Sequence, residues 1–406
     1  MATIFTRIPK FNIQIGKVSS AGSHRHENQD TMFVISKPEI DCTIIAVADG
    51  HGRDTGALAS NICKISIEEY TESNLALLDS NPILFLSTCN SHVQQKLRDA
   101  FVDYATQRNC EANIDENGIV LQRKNSNYTF TPIGGGSTLS IIVFKNGILY
   151  SANVGDSTGM LCVKNPTLKL SNIKYERDVA RDGFARINSD NTPVSSLVIT
   201  SDTHSPESVD EYIRIRDFRR SGDKAELLFV FDDQDREKPS CPPVFQISED
   251  GTPTVVVPEN QYYYKNVRKD RATYVCATYG TNYPDALAST RSIGDFNLNT
   301  FGVSEKPEIH SVNMNTVFEQ MVGDENPIAC VALCSDGIWD NWIYDNVQKY
   351  VMDHTCLHRI KSKPEDGVQD VANAFSVRNE HFARKNFGGN RDDQTCIIMY
   401  ITPNTI

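Results

Sequence analysis

An almost wholly apolar run, Ile44-Ile45-Ala46-Val47-Ala48, breaks without transition into Asp49-Gly50-His51-Gly52. The run is too short for a helix and rich in β-branched residues, which predicts a strand buried on both faces. Its end brings a carboxylate, an unencumbered backbone carbonyl and an imidazole to one point at a sheet edge. Glycine there permits a sharp turn and leaves room for something small to approach. A strand that ends in this way suits a metal site or a catalytic site. The pattern recurs: apolar runs also stop at Gly155-Asp156 and at Asp336-Gly337, Asp392-Asp393 stands immediately before a further run, and Asp30 lies in the early turn ENQD.

The rest of the chain supplies the frame for these strand ends. Strands are expected in FNIQIGKV and TMFVIS, on either side of the polar stretch SSAGSHRHENQD, and then at 40–48. From Thr55 onward the spacing of Leu58, Ile62, Ile65 and Tyr70 predicts a helix with those residues on one face. A second helix is expected over 83–108, with Leu84, Val93, Leu97, Phe101 and Tyr104 recurring at turn spacing. The polar, turn-rich segment 109–135 reads as a loop. Asn146-Gly147 between two apolar runs predicts a hairpin. In 165–285 a strand-like SSLVITSD and a helical PESVDEYIRIRD precede a charged, proline-bearing region, which reads as an insertion within one domain. Regularity returns with ALASTRSIGDF and IACVALCSDGIWDNW, followed by helices from Trp339 and near 367–385 and a last strand, TCIIMYIT. Strands outnumber crossover helices and hairpins are evident, so the expected class is α+β, antiparallel sheets with helices packed outside.

Composition narrows the function. The net charge is −12 over 406 residues, and an acidic surface repels nucleic-acid phosphates and anionic lipid. No apolar stretch approaches the roughly 18 residues that a membrane span needs. The opening MATIFTRIPK is basic and free of acids but lacks the apolar core of a secretory signal. Eleven cysteines without a CxxC pair suit reduced, buried thiols in a cytoplasmic or nuclear protein. The absence of coiled-coil heptads makes a monomer the default. A hydrophobic content of 39% and a mean hydropathy of −0.37 leave room for long polar insertions beside the core.

One strand-end aspartate is an ordinary turn residue. Several at one sheet edge repel one another unless cations neutralise them. The candidate ligands are all oxygen donors, with no Cys or His at metal-binding spacing, so the site prefers hard ions such as Mg²⁺ or Mn²⁺. Four carboxylates, Asp30, Asp49, Asp336 and Asp392, balance two divalent cations. Two such ions can activate a water and clamp phosphoryl oxygens in an in-line displacement.

ENQD, ADGHG, GGGSTLS with ANVGDS, TRSIGDF, CSDGIWDNW and NRDDQT occur in the order seen in the metal-dependent protein phosphatases, and over about 20–400 the chain resembles the protein phosphatase 2C family. The resemblance implies a Mg²⁺/Mn²⁺-dependent serine/threonine phosphatase built on a central β-sandwich of two mainly antiparallel sheets flanked by α-helices on both sides. It implies a single catalytic domain over 1–406 with an elaborated flap insertion around 207–285. By position, Asp49 resembles the carboxylate bridging two metals and Gly50 offers its carbonyl. Asp336 and Asp392 resemble the carboxylates of one metal, and Asp30 holds the other largely through water. His51 resembles the general acid and Arg25 the phosphate-binding arginine, while Asp156 and Asp340 resemble a weaker third-metal site. Arg291 and Asp295 are expected to organise the fold around the cleft.

The chain departs from the family pattern at several points. Gln29 stands where many members carry glutamate, and Thr203 where an aspartate is usual, with Asp202 displaced by one. Asp393 replaces a common asparagine, which leaves Asp392 and Asp393 as alternatives for one ligand. The stretch with His204, Pro206, Glu211, Arg214 and Ile215 is in register with the segment before the flap, and 217–285 runs longer than the usual flap, where substrate or partner choice is expected. The implied partner is a phosphorylated protein, with hydroxide attack at phosphoserine or phosphothreonine. A pseudophosphatase scaffold and a phosphatase of small metabolites are the alternatives, separated by metal titration and by comparing phosphopeptides with small phosphoesters.

Overall fold

Alternate residues of the strand Cys42–His51 enter different cores. Ile44, Ala46 and Ala48 pack with the helices Gly56–Ser73 and Pro82–Gln107, whereas Ile45 and Val47 meet a second sheet. Every residue of the run is fully buried, as its lack of polar alternation requires. The structure, a computed structural model, describes residues 2–8, 10–22, 27–124, 129–175, 192–200, 204–219, 227–233, 235–256, 263–277 and 285–404.

Among the described residues, one sheet has six strands in the order Ile4–Ile8, Phe11–Ser20, Gln394–Pro403, Ala329–Cys334, Thr158–Val163 and Ser196–Val198. The other has eight, with Cys42–His51 between Leu139–Lys145 and Asp30–Lys37. All paired strands run antiparallel. The two sheets face each other across Phe11, Ile13, Ile15, Ile142, Phe144, Leu333 and Met399. On the outer face of the six-stranded sheet, Cys330, Cys396 and Tyr400 pack against the helices Tyr344–Val351 and Gly367–Phe387. The architecture is therefore a β-sandwich between two helical layers, as expected. All eleven cysteines are free and buried. Among the described residues no helix is long and apolar enough to cross a membrane.

Three local expectations need correction. The buried face of Gly56–Ser73 is Ala59, Cys63 and Ile67, while Ile65 is exposed; small side chains let this helix lie close on the sheet, and the bulkier Leu58, Ile62 and Tyr70 flank the contact. The segment read as a loop at 109–135 forms a three-stranded ribbon, Cys110–Ile114, Val120–Lys124 and Thr131–Pro132. Its first turn is held by Asp115, whose carboxylate accepts from the amides of Asn117 and Ile119, so polar residues here mark a turn between strands. The helix expected from Trp339 begins instead at Asp336, as the short Asp336–Trp339, and resumes at Tyr344–Val351.

The insertion has its own core. The helix Val209–Arg219 packs Tyr212 and Ile215 against Phe229, Phe231, Phe245 and Val275 of a small sheet and hairpin. Beneath it the buried Glu211 carboxylate accepts from Arg214 and Arg291, at 2.7 and 2.6 Å, and from the Thr290 hydroxyl. Arg291 thus organises the fold around the cleft, as expected. Removing one partner of a buried ion cluster costs about 3–5 kcal/mol. Glu211→Ala is accordingly expected to lose stability of that order in urea denaturation, because two guanidinium groups lose their shared carboxylate.

Candidate metal centre

Strand register brings the first two acids together. Asp30 opens the strand Asp30–Lys37 and lies directly opposite Asp49 across the antiparallel pair, an arrangement that is unfavourable for like charges. Asp336 follows the strand Ala329–Cys334, and Asp392 precedes Gln394–Pro403, the next strand in that sheet. Ser335 ties these ends together: its hydroxyl donates to Asp30 Oδ2 at 2.8 Å and accepts from the Thr395 amide at 3.0 Å. The GGGST stretch fixes Asp49, whose amide donates to Thr138 Oγ1 and whose carbonyl accepts from the Thr138 amide. Two close approaches require glycine. A Cβ on Gly50 would stand 2.2 Å from the Gly56 carbonyl oxygen, and one on Gly337 would stand 1.8 Å from that of Asp393.

Asp392 and Asp393 differ in their hydrogen bonding. Both carboxylate oxygens of Asp393 accept backbone amides, from Gly22 at 2.8 Å and Gln29 at 2.7 Å, so Asp393 holds the ENQD turn in place. Asp392 accepts one amide, that of Asp393 at 2.8 Å, and bears electrostatically on Asp49 and Asp336. Gln29 has a use that glutamate could not fill, since its side-chain amide donates to the Gly52 carbonyl at 2.9 Å.

The acids perturb one another as an uncompensated cluster should. Burial is the largest cause in each case. It pushes Asp30 up to about 6 against the hydrogen bond from Ser335. It raises Asp336 to about 8 with help from Asp392 and Asp156, and Asp340 to about 8 with help from Asp336. Asp49 lies well above the carboxylate range through burial and then the charges of Asp30, Asp336 and Asp392. Among the described residues no three His, Cys, Asp or Glu side chains stand together so as to hold a metal ion between them. Asp49 and Asp336 nevertheless lie within hydrogen-bonding reach of each other. Asp30 Oδ1 and Asp336 Oδ1 are buried without any hydrogen-bond partner. Buried, partnerless carboxylate oxygens in an all-oxygen donor set fit a hard divalent cation.

A stability experiment reads the same cluster. Acids whose folded pKa is raised bind more protons in the native than in the unfolded state, so stability falls as pH rises from the unfolded value near 4 through the folded values of about 6 to 8. The metal-free protein is expected to melt at a lower temperature at pH 8 than at pH 5.5, and Mn²⁺ is expected to narrow the difference. A flat metal-free profile contradicts the cluster.

His51, at the end of the same strand, places Nε2 2.6 Å from Asp295 Oδ2. Burial opposes charging the ring, but the charge and hydrogen bond of Asp295 outweigh it and raise the His51 pKa. Asp295 was expected only to organise the fold; its contact with His51 crosses 244 positions and has no local signal in TRSIGDF. His204 is buried with Nδ1 3.1 Å from the Gly155 carbonyl, and burial, reinforced by Arg291, lowers its pKa to about 4, so it serves as a neutral prop for the Gly155-Asp156 turn. Asp156 Oδ2 lies 3.6 Å from the ammonium of Lys265, in the insertion. A cleft of about 540 Å³ runs from Asp156, Asp336 and Asp340 beneath Lys265, Arg268 and Arg271. Arg25, Asp202 and Thr203 lie outside the described residues.

The sequence profile described as "Protein phosphatase 2C" matches residues 16–219 and 270–374, leaving out most of the insertion. No curated protein sequence matches the chain. Among solved structures, a serine-threonine phosphatase 2C from Toxoplasma gondii is 14% identical, covers 99% of each chain and superposes with a TM-score of 0.53. A serine/threonine phosphatase from Mycobacterium tuberculosis is also 14% identical, over 95% of this chain and 97% of its own, with a TM-score of 0.43. At such identity the first of these shows a shared fold.

Proposed function

The chain belongs to the protein phosphatase 2C family, and we propose that it is a Mg²⁺- or Mn²⁺-dependent protein serine/threonine phosphatase working with two divalent cations. The observation that carries this reading is the convergence of Asp30, Asp49, Asp336 and Asp392 from four separate segments, two of them with a buried oxygen that lacks a partner. Asp49 would serve both cations, the Gly50 carbonyl would offer a further oxygen, and Asp336 and Asp392 would hold one ion and Asp30 the other through water. Bound there, the cations would supply Lewis acidity toward phosphoryl oxygens and an acidified water, the chemistry of in-line displacement at phosphorus.

The chain's own groups account for the rest. His51, whose pKa the neighbouring Asp295 raises, would give a proton to the departing serine or threonine oxygen. Arg25 is assigned the grip on the phosphate by the family motif. No step calls on a thiol, in keeping with eleven buried cysteines, which also suit the cytoplasm or nucleus. The insertion walls the cleft through Lys265, Arg268 and Arg271, and we assign substrate choice to it. We treat 1–406 as one catalytic domain bearing this insertion, and as a monomer.

Phosphate release from phosphoserine and phosphothreonine peptides tests the reading. Turnover with Mn²⁺ is expected to stop on adding EDTA, to return with excess Mn²⁺, and to exceed that on small phosphoesters. Metal binding without turnover on any phosphoester would make the chain a scaffold and overturn the proposal.

A further inference from the structure

The insertion does more than wall the cleft. It delivers a fixed positive charge to the acids Asp156 and Asp340. Lys265 Nζ lies 3.6 Å from Asp156 Oδ2, and the charges of Asp340, Asp336 and Asp270 also bear on it. Its backbone is anchored beside the same acids. The Lys265 amide donates to the Asp270 carbonyl at 2.8 Å, and the Val267 amide donates to the carbonyl of Asp340 itself at 3.0 Å. Arg268 pairs with Asp270 at 3.0 Å and donates to the carbonyls of Trp339 and Trp342, on either side of Asp340 and Asn341. Arg271 closes the segment onto Glu207 at 2.6 Å. The segment 263–271 is therefore pinned to the turn that carries Asp336 and Asp340.

We propose that the Lys265 ammonium is a built-in cation at the Asp156–Asp340 position, taking the place of a third divalent ion, so that this chain binds two ions and not three. The inference rests on the two-cation reading above. An ammonium is a compact point charge with three donors, suited to neutralising a pair of carboxylates. A divalent ion placed between the same acids would lie within a few ångströms of that ammonium, where like charges repel strongly at partly buried sites. The two cations therefore compete for the same carboxylates, and the lysine is covalently attached beside them.

Counting bound Mn²⁺ by equilibrium dialysis and by electron paramagnetic resonance tests this. Wild type is expected to bind two ions per chain. Lys265→Met, which keeps the side-chain stem and removes the charge, is expected to bind three, and the Lys265→Met/Asp156→Asn double variant two again. Lys265→Arg, which restores a cation, is expected to remain at two, and it controls for any loss of folding in the Met variant, as do melting curves. Three ions in wild type, or two in Lys265→Met with an unchanged melting curve, overturns the proposal while leaving the two-cation reading intact. No ion bound by any of the proteins overturns both.

Discussion

Asp49→Asn is expected to lower phosphate release from a phosphopeptide by about 10³-fold or more. Cation stabilisation of charge at phosphorus is worth several kcal/mol, and each 1.4 kcal/mol or so is a factor of ten. Asp49 is the acid on which Asp30, Asp336 and Asp392 all act, so its charge is central to the cluster. The fold should tolerate the change. Asn is isosteric, and burial among other acids disfavours the charged form of the Asp49 carboxyl. Without metal, the variant is therefore expected to melt at the wild-type temperature or above, while the rise in melting temperature on adding Mn²⁺ is lost. Near-normal turnover in this variant removes the mechanism; a collapsed melting curve would show instead that Asp49 holds the fold.

His51→Gln is expected to cost about 10²- to 10⁴-fold in turnover, the range for losing a positioned general acid, with metal binding retained. The acid must be charged to act, and Asp295 raises its pKa above the ordinary histidine value. Wild-type activity is thus expected to persist above pH 6.5 and to fall only as pH passes the raised value. Asp295→Asn removes the charge that outweighs burial, so the alkaline limb of its pH profile should move to lower pH. An unmoved limb would show that Asp295 serves only the fold and that His51 is not the titrating group. A small phosphoester with an acidic leaving group should be much less sensitive to His51→Gln, since its leaving oxygen needs no proton.

Much of this was legible because the informative signals are local. An apolar run that gives way to Asp-Gly marks where a buried strand leaves the core, so Asp49 and Asp336 declare themselves within a few residues of sequence, although the strand Cys42–His51 continues through Asp49 and Gly50 where a turn was expected. The sandwich was readable from hairpin turns and from strands that are apolar on both faces, such as Ile44–Ala48. What was not readable depends on distant partners. The difference between Asp392 and Asp393 turned on amides of Gly22 and Gln29 more than 360 positions away. Asp295 meets His51, and Lys265 meets Asp156, only once the sheets have closed. The inner face of Gly56–Ser73 was misread because packing against a sheet favoured small Ala59 and Cys63 over the larger Ile65. The ribbon at 110–132 was missed because its polar residues serve a turn, not a loop.

The central claim, that four distant acids hold the divalent cations on which activity depends, is tested most directly by anomalous diffraction from crystals grown without metal and soaked in Mn²⁺. Two anomalous peaks within coordination distance of Asp49, shared out among Asp30, Asp336 and Asp392, are the predicted result. Peaks confined to other parts of the surface, or a cluster that stays empty at millimolar Mn²⁺, would contradict the account.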